Sequence, residues 1–143
     1  MRSGKAATAS LISALVLVLL TAGVFWVLQG YGPESALRKF HRAAINHEWR
    51  DLEEVVTPGS YRQNVQLLAS MVETYARIGA RYQLGRVRRS SNRVIAEVFY
   101  SFPNNRSDPV FWVIEKVRDG WRVNVNETVG QRMSQLDSTV APF

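Results

Sequence analysis

An uncharged apolar segment near the amino terminus constrains this chain more than any other feature. No charged residue occurs from Ala6 to Pro33, and Leu11–Leu28 consists almost entirely of apolar residues. As a helix these eighteen residues extend about 27 Å, close to the roughly 30 Å hydrocarbon core of a bilayer. A surface helix of a globular protein keeps a polar face, and this segment has none. It therefore predicts a transmembrane helix over residues 11–30. The residues expected to contact the membrane are Leu11, Leu15, Leu19, Phe25, Trp26 and Leu28.

A cleaved signal peptide is the competing interpretation, because Arg2 and Lys5 form a basic start before the apolar run. The run continues to Leu28 without a good small-residue cleavage site, and no cysteine is present to carry a lipid. We therefore interpret the segment as an uncleaved signal anchor. Cations lie close to both of its ends, so charge alone orients it weakly. A short basic tail usually stays in the cytoplasm, so residues 1–10 are expected there. The domain that follows is then expected outside the cytoplasm, at the cell (inner) membrane.

About 110 residues follow the segment, which is enough for one domain with one hydrophobic core. Because the chain contains no cysteine, this domain has neither a disulfide nor a thiolate metal site. We assign residues 31–127 to the domain and residues 128–143 to a C-terminal tail that can form a short helix.

Helical periodicity fills the first half of the domain. Pro33 fits the first turn of the first helix, Ser60 and Gln63 fit a capping box before the third, and Gly79 fits its end. The apolar faces of the three helices are marked by Leu37, Phe40, Ala44 and Ile45, then by Trp49, Leu52 and Val56, then by Val65, Leu68, Val72 and Ala76.

From Arg81 the apolar period changes to two, which is typical of strands. Gly85 indicates a bulge in the first strand, and Asp119-Gly120 indicates a hairpin between the last two. Helices grouped before an antiparallel meander predict an α+β fold, with helices packed on a mainly antiparallel four-stranded sheet. The predicted strands are Tyr82–Arg89, Arg93–Phe102, Val110–Val117 and Trp121–Asn126.

The pattern from Glu34 to Asn126 resembles the nuclear transport factor 2-like superfamily, also described as a cystatin-like α+β cone. The resemblance rests on the turn and acidic passage Asn46–Glu53, on Phe111–Lys116, and on the hairpin Asp119–Val123. It implies a curved sheet around a long helix, a cavity at the wide end, and frequent dimerisation through the sheet. The superfold hosts enzymes, transport factors and assembly domains, so the fold does not give the function. Exported members tethered by one N-terminal helix resemble scaffold domains, such as the inner-membrane component of type IV secretion systems.

Residues with catalytic potential are few. On the inward strand positions only Tyr100 carries a polar group, and a tyrosine packed in the core is its commoner explanation. His41 lies beside an apolar stripe, whereas His47 lies in a turn, and their spacing does not suit two metal ligands on one helix face. The sequence shows no phosphate-binding loop, nucleophile elbow or metal-ligand cluster. We therefore expect no catalytic residues, no metal and no cofactor, and predict that the chain is not an enzyme.

Arginines are concentrated around the first predicted strand, in a stretch without a carboxylate. They are explained either as a solvated sheet edge or as a contact for anionic lipid or for an acidic surface of a partner. Nucleic acid is not expected, because no stacking aromatics interleave with them and the domain is placed outside the cytoplasm. The candidate anionic-contact residues are Arg81, Arg86, Arg88, Arg89 and Arg93.

The outward face of the sheet is unexpectedly apolar, since an antiparallel sheet with one wet face alternates cleanly. A covering partner explains this face, whether a second copy of the chain or another protein. The alternative is that the C-terminal segment folds back over it through Val129, Met133 and Leu136. The candidate partner-binding residues are Ile95, Phe99, Phe111, Val113 and Val117.

Together these features predict a single-pass membrane-anchored, non-catalytic interaction domain, an accessory or scaffold subunit of a larger membrane protein complex. A small-ligand binder or enzyme using the cone cavity is the alternative, and it requires an open pocket with a buried titratable group. A sensor of lipid surfaces that uses the arginines is a third hypothesis.

Overall fold

The computed structural model describes residues 8, 10–21 and 32–140. The contacts divide the chain into two units, Met1–Gly32 and Pro33–Phe143. In the first unit residues 10–21 form helix α1, and every side chain of this helix is exposed. Across the described residues, no helix reaches the combination of length and hydropathy needed to traverse a bilayer. The predicted anchor residues Phe25, Trp26 and Leu28 lie outside the described residues.

The second unit is an α+β domain, as predicted. Its four strands form one antiparallel sheet in the order β1-β2-β3-β4. The helices before the sheet are α2 (Pro33–Ile45), α3 (Trp49–Val55) and α4 (Arg62–Arg77). The strands are β1 (Arg81–Arg89), β2 (Arg93–Ser101), β3 (Ser107–Val117) and β4 (Gly120–Val123), followed by α5 (Val125–Val140).

One hydrophobic core lies between the helices and the inward face of the sheet. Alternate residues of β2 and β3 point into it, and Trp112 packs edge-on against Phe40 of α2, with ring centroids 5.2 Å apart. Burying side chains of this size stabilises the fold by roughly 1.5–3 kcal/mol each. The predicted inward positions are confirmed as buried: Val94, Ala96, Val98, Tyr100, Trp112, Ile114, Val123 and Val125.

Two glycines act as the sequence indicates. Gly79 has a φ of 83° after the end of α4, where an L side chain would be strained. The β1–β2 register shifts between Leu84 and Val87, which confirms the bulge predicted at Gly85. A Cβ atom on Gly85 would lie 2.5 Å from the Phe99 ring of β2, so glycine is required there for close packing.

The third predicted strand began too late. The structure extends β3 back to Ser107 and includes Pro109, which lies opposite Phe99. The Val113 N–H points away from β2 and donates to the Thr128 hydroxyl at 3.0 Å. Backbone N–H groups two or four residues apart on a strand point to the same side. The Pro109 nitrogen, which carries no N–H, therefore also faces away from β2.

The fourth predicted strand ended too late, and the C-terminal segment is more than a tail. Strand β4 stops at Val123 because Asn124 caps a new helix, its Oδ1 accepting the Glu127 N–H at 3.0 Å. Val125 is therefore buried from α5 and not from a strand. Helix α5 packs along β3, and this contact leaves the Met133 and Leu136 side chains exposed.

Candidate functional site

Tyr100, which the sequence placed on an inward strand position, contacts His41, which the sequence placed beside an apolar stripe and which the structure buries. His41 Nδ1 lies 2.8 Å from the Leu37 carbonyl oxygen, which only accepts, so this nitrogen carries the proton. His41 Nε2 then accepts a hydrogen bond of 2.6 Å from the Tyr100 hydroxyl. Both ring nitrogens are thus engaged within the domain.

Burial fixes the charge state of this pair. Desolvation lowers the pKa of His41 from 6.5 to about 4, although the hydrogen bond to Leu37 acts in the opposite direction. Burial likewise raises the pKa of Tyr100 above its ordinary value. At neutral pH the pair is uncharged, and neither nitrogen of the imidazole is free to accept a proton from a bound molecule.

Aromatic rings enclose the His41–Tyr100 pair. The Tyr82 ring of β1 stacks on the imidazole with centroids 4.3 Å apart and planes at 26°. The Trp112 ring lies 5.1 Å from the imidazole, and the Tyr75 ring of α4 meets Tyr100 edge-on at 5.1 Å. These contacts supply the apolar surroundings that keep the imidazole neutral.

A cavity of about 340 Å³ opens beside the pair, among α2, α4 and the first two strands. This volume lies at the lower end of the range for small-molecule sites, which are typically mostly apolar with a few polar groups. The lining residues are His41, Ile45, Val72, Tyr75, Ala76, Ala80, Arg81, Tyr82 and Tyr100. The cavity is open and has the buried His41 beside it, as the ligand-binding alternative requires, and that alternative stays a prediction.

A second polar cluster lies next to this cavity. The Tyr75 hydroxyl donates to Asp108 Oδ2 at 2.6 Å. The Arg132 guanidinium of α5 donates to both Asp108 carboxylate oxygens, at 2.8 and 2.5 Å. Burial, followed by the bond to Asp108, raises the pKa of Tyr75 to about 12. The cluster joins α4, β3 and α5, and it pairs the Asp108 carboxylate with the Arg132 guanidinium.

The predicted anionic-contact arginines do not form one group. Arg89 pairs with Glu34 of α2, and Arg93 pairs with Glu127 of α5 and lies 3.8 Å from Glu115. The other three, Arg81, Arg86 and Arg88, are exposed on β1, and no ion pair joins them to any described residue.

The predicted partner-binding face needs one correction. Val113 is fully buried, because α5 lies against β3 at this point, so its side chain is not available to a partner. The other four residues, Ile95, Phe99, Phe111 and Val117, are half-buried, and their role as a partner contact stays a prediction.

Coverage of this face by the C-terminal segment, the alternative, is not shown: helix α5 contacts β3 along the edge that β4 leaves free, and two of the three predicted residues, Met133 and Leu136, are exposed. Helix α5 turns Thr128, Arg132 and Gln135 toward β3, and Gln135 donates to the Pro109 carbonyl at 3.3 Å. Val129 is half-buried, while Met133 and Leu136 face away. The sequence signal that reveals this arrangement is Asn124 followed three residues later by Glu127, a helix-start pattern.

Of the predicted membrane contacts, the structure describes Leu11, Leu15 and Leu19. They lie in α1 and are 70%, 62% and 63% exposed. Within the described residues no group of His, Asp and Glu side chains is arranged to hold a metal ion.

Comparison with known proteins adds little. No family model matches the chain, and no curated protein matches it. A crystal structure named "Putative NTF2-like transpeptidase" from Campylobacter jejuni is similar over 65% of this chain and 97% of that chain, with 11% identity and a TM-score of 0.47. At this identity and TM-score the likeness assigns neither a family nor an activity to the chain.

Proposed function

We propose that the chain is a single-pass membrane-anchored, non-catalytic interaction domain, an accessory or scaffold subunit of a larger membrane protein complex. The observation that carries the proposal is the surface of α1, where large apolar side chains are exposed all around the helix, from Val16 at 49% to Leu11 at 70%. A helix with no polar face is stable next to lipid or protein and not in water. The charge-free sequence on both sides of α1 makes lipid the fitting environment.

In this proposal residues 11–30 form the anchor, with Phe25, Trp26 and Leu28 completing the apolar span. The N-terminal tail lies in the cytoplasm and the domain outside it, at the cell (inner) membrane. The partners are other membrane-protein subunits or a second copy of the chain, and anionic lipid is a further contact. Nucleic acid is not among the proposed partners.

We assign the domain to the nuclear transport factor 2-like superfamily on its sequence resemblance and on the observed order of helices and antiparallel strands. The non-catalytic role is supported by the His41–Tyr100 pair. A general base must present a free acceptor to its substrate, and both imidazole nitrogens are engaged inside the domain.

Native mass spectrometry of the full chain, extracted in a mild nonionic detergent, tests the proposal. We expect the chain in an assembly with at least one other subunit or copy. A stable lone monomer across several mild detergents would contradict the interaction role.

A second candidate function is small-ligand binding, and the cavity beside His41 favours it. An apolar molecule bound there would be lost when the cavity is filled from α4 by Ala76→Phe. Thr74→Phe is the matched control, because Thr74 is exposed on the same helix. Organic extraction of the purified full chain, followed by mass spectrometry, should yield one compound per chain from wild type and Thr74→Phe but none from Ala76→Phe. Equal yields from all three, or no compound from wild type, would exclude it.

A further inference from the structure

The sheet has two edge strands, β4 and β1, and the described residues cover β4 but not β1. At β4, the Thr57 N–H donates to the Val123 carbonyl at 3.0 Å, so the chain after α3 occupies that edge. Where β4 stops short, α5 takes over, and Asn124 and Thr128 bond both backbone groups of Val113. Edge strand β1, at the other end of the sheet, has no such cover among the described residues.

The backbone of β1 is open for pairing. Eight of its nine residues are exposed, and only Val87 is half-buried. The Ser90 N–H donates to the Arg93 carbonyl at 2.8 Å, which sets the alternation of the β1–β2 ladder. By that alternation Tyr82 and Leu84 direct their N–H and C=O groups away from β2, so the edge presents, in strand geometry, donors and acceptors that no described residue pairs.

The same edge is strongly cationic. No carboxylate occurs in the sequence between Glu73 and Glu97, whereas Arg81, Arg86 and Arg88 lie on β1 without an ion pair to any described residue. Arginine guanidinium groups bind carboxylates in a bidentate geometry, so the edge is complementary to an acidic chain.

We infer that the open edge of β1 binds an extended acidic segment of a partner protein by strand addition, an inference that rests on the proposed interaction role. The backbone groups of the edge supply the pairing, and the arginines select for Glu or Asp at alternate positions. A second copy of β1 does not fit, because pairing would place arginine beside arginine. Anionic lipid matches the charge but leaves the strand edge unpaired.

A peptide of about ten residues that alternates Glu and Val is the probe, labelled with a fluorophore and titrated into the full chain in nonionic detergent. Fluorescence anisotropy should show saturable binding. Methylating every second peptide nitrogen keeps the charge but removes strand pairing, so it should weaken binding at least about tenfold. Equal binding of the methylated peptide, or no binding of the parent peptide, overturns the inference.

Matched charge changes locate the site. Arg86→Glu with Arg88→Glu should weaken binding by about tenfold or more, whereas Arg106→Glu with Arg118→Glu, two exposed arginines in the connections before and after β3, should change it about twofold or less. Similar losses from both pairs would mean charge attraction without a site and would contradict the inference.

Hydrogen exchange in nanodiscs separates the peptide from lipid. The Tyr82 and Leu84 amides should gain protection with the peptide, but not when phosphatidylglycerol replaces phosphatidylcholine in the disc. Protection by phosphatidylglycerol alone would make lipid the ligand and overturn the assignment. If native mass spectrometry finds a partner while the peptide fails to bind, only the edge assignment fails and the interaction role stands.

Discussion

At the scale of single residues, His41 and Tyr100 each provide a hydrogen-bond partner for the other in the core. An imidazole and a phenol left unpaired in an apolar core each lose solvation without compensation. Here the Tyr100 O–H donates to His41 Nε2, and the Leu37 carbonyl accepts from the other ring nitrogen. Replacing either side chain therefore leaves a buried polar atom without its partner.

Tyr100→Phe should lower the free energy of unfolding by about 1–3 kcal/mol, because it leaves His41 Nε2 buried and unsatisfied. Tyr82→Phe is the matched control, since this ring also packs on His41 but its hydroxyl bonds to no other described residue. The control should change stability by about 0.5 kcal/mol or less. Urea unfolding of the full chain in detergent, followed by tryptophan fluorescence, measures both, and equal effects would contradict the role of the hydrogen bond.

His41 should also make stability depend on pH. Its folded pKa of about 4 lies below the ordinary 6.5, so between these values the unfolded chain binds a proton that the folded chain does not. The contribution is complete above pH 6.5 and is lost as the pH falls toward 4, by about 2 kcal/mol between pH 7 and pH 5.

Urea unfolding at pH 7 and pH 5 measures this dependence. His41→Gln should be less stable at pH 7 but should lose about 2 kcal/mol less than wild type on acidification. Tyr82→Phe, which retains His41, should follow wild type. If His41→Gln shows the full wild-type loss, other groups cause the acid sensitivity.

Single residues also mark what the sequence could not reveal. Tyr100 was recognised as an inward position because its apolar neighbours recur at strand spacing, whereas His41 was placed only beside the apolar stripe of its helix, and its burial was not predicted. Their hydrogen bond joins residues 59 positions apart, and no local pattern encodes a contact of that kind. The cluster of Tyr75, Asp108 and Arg132 escaped prediction for the same reason.

At the scale of elements, the periodic segments were predictable and their ends were not. Helix α2 begins at Pro33 as expected, whereas α4 begins at Arg62 and not at a capping box on Ser60. The Ser60 hydroxyl donates instead to the Thr57 carbonyl, and the Asn126 side chain accepts the Tyr61 N–H at 3.0 Å. A cap supplied from α5 cannot be recognised from the local sequence.

Helix α5 lies along the part of β3 that β4 does not pair. The Thr128 hydroxyl accepts the Val113 N–H, which a neighbouring strand would otherwise pair. Thr128→Val keeps the shape but removes the acceptor of the buried Val113 N–H, so it should cost about 1–3 kcal/mol of stability. Thr139→Val, an exposed change on the same helix, should cost about 0.5 kcal/mol or less. Urea unfolding gives the stabilities, and hydrogen exchange should show faster exchange at Val113 in Thr128→Val alone. Unchanged exchange at Val113 would contradict the edge-capping role.

At the scale of the whole molecule, the proposal joins two units of opposite character. Helix α1 exposes apolar side chains on all sides, while the α+β domain buries its own core and carries charges on β1. The sequence indicates the apolar character of α1 directly, because a charge-free segment needs no tertiary context. The interaction role of the domain stays a proposal, because the sequence of one chain does not identify what binds to its surface.

Alkaline carbonate extraction of membranes tests the membrane anchor most directly. The full chain should remain in the membrane pellet, and Leu15→Arg with Leu19→Arg should shift it toward the supernatant, since each arginine near the centre of a span costs roughly 2.5–3.5 kcal/mol of insertion free energy. Leu67→Arg with Ile78→Arg, two exposed apolar residues of the domain, should leave the chain in the pellet. Recovery of the wild-type chain in the supernatant would contradict the account.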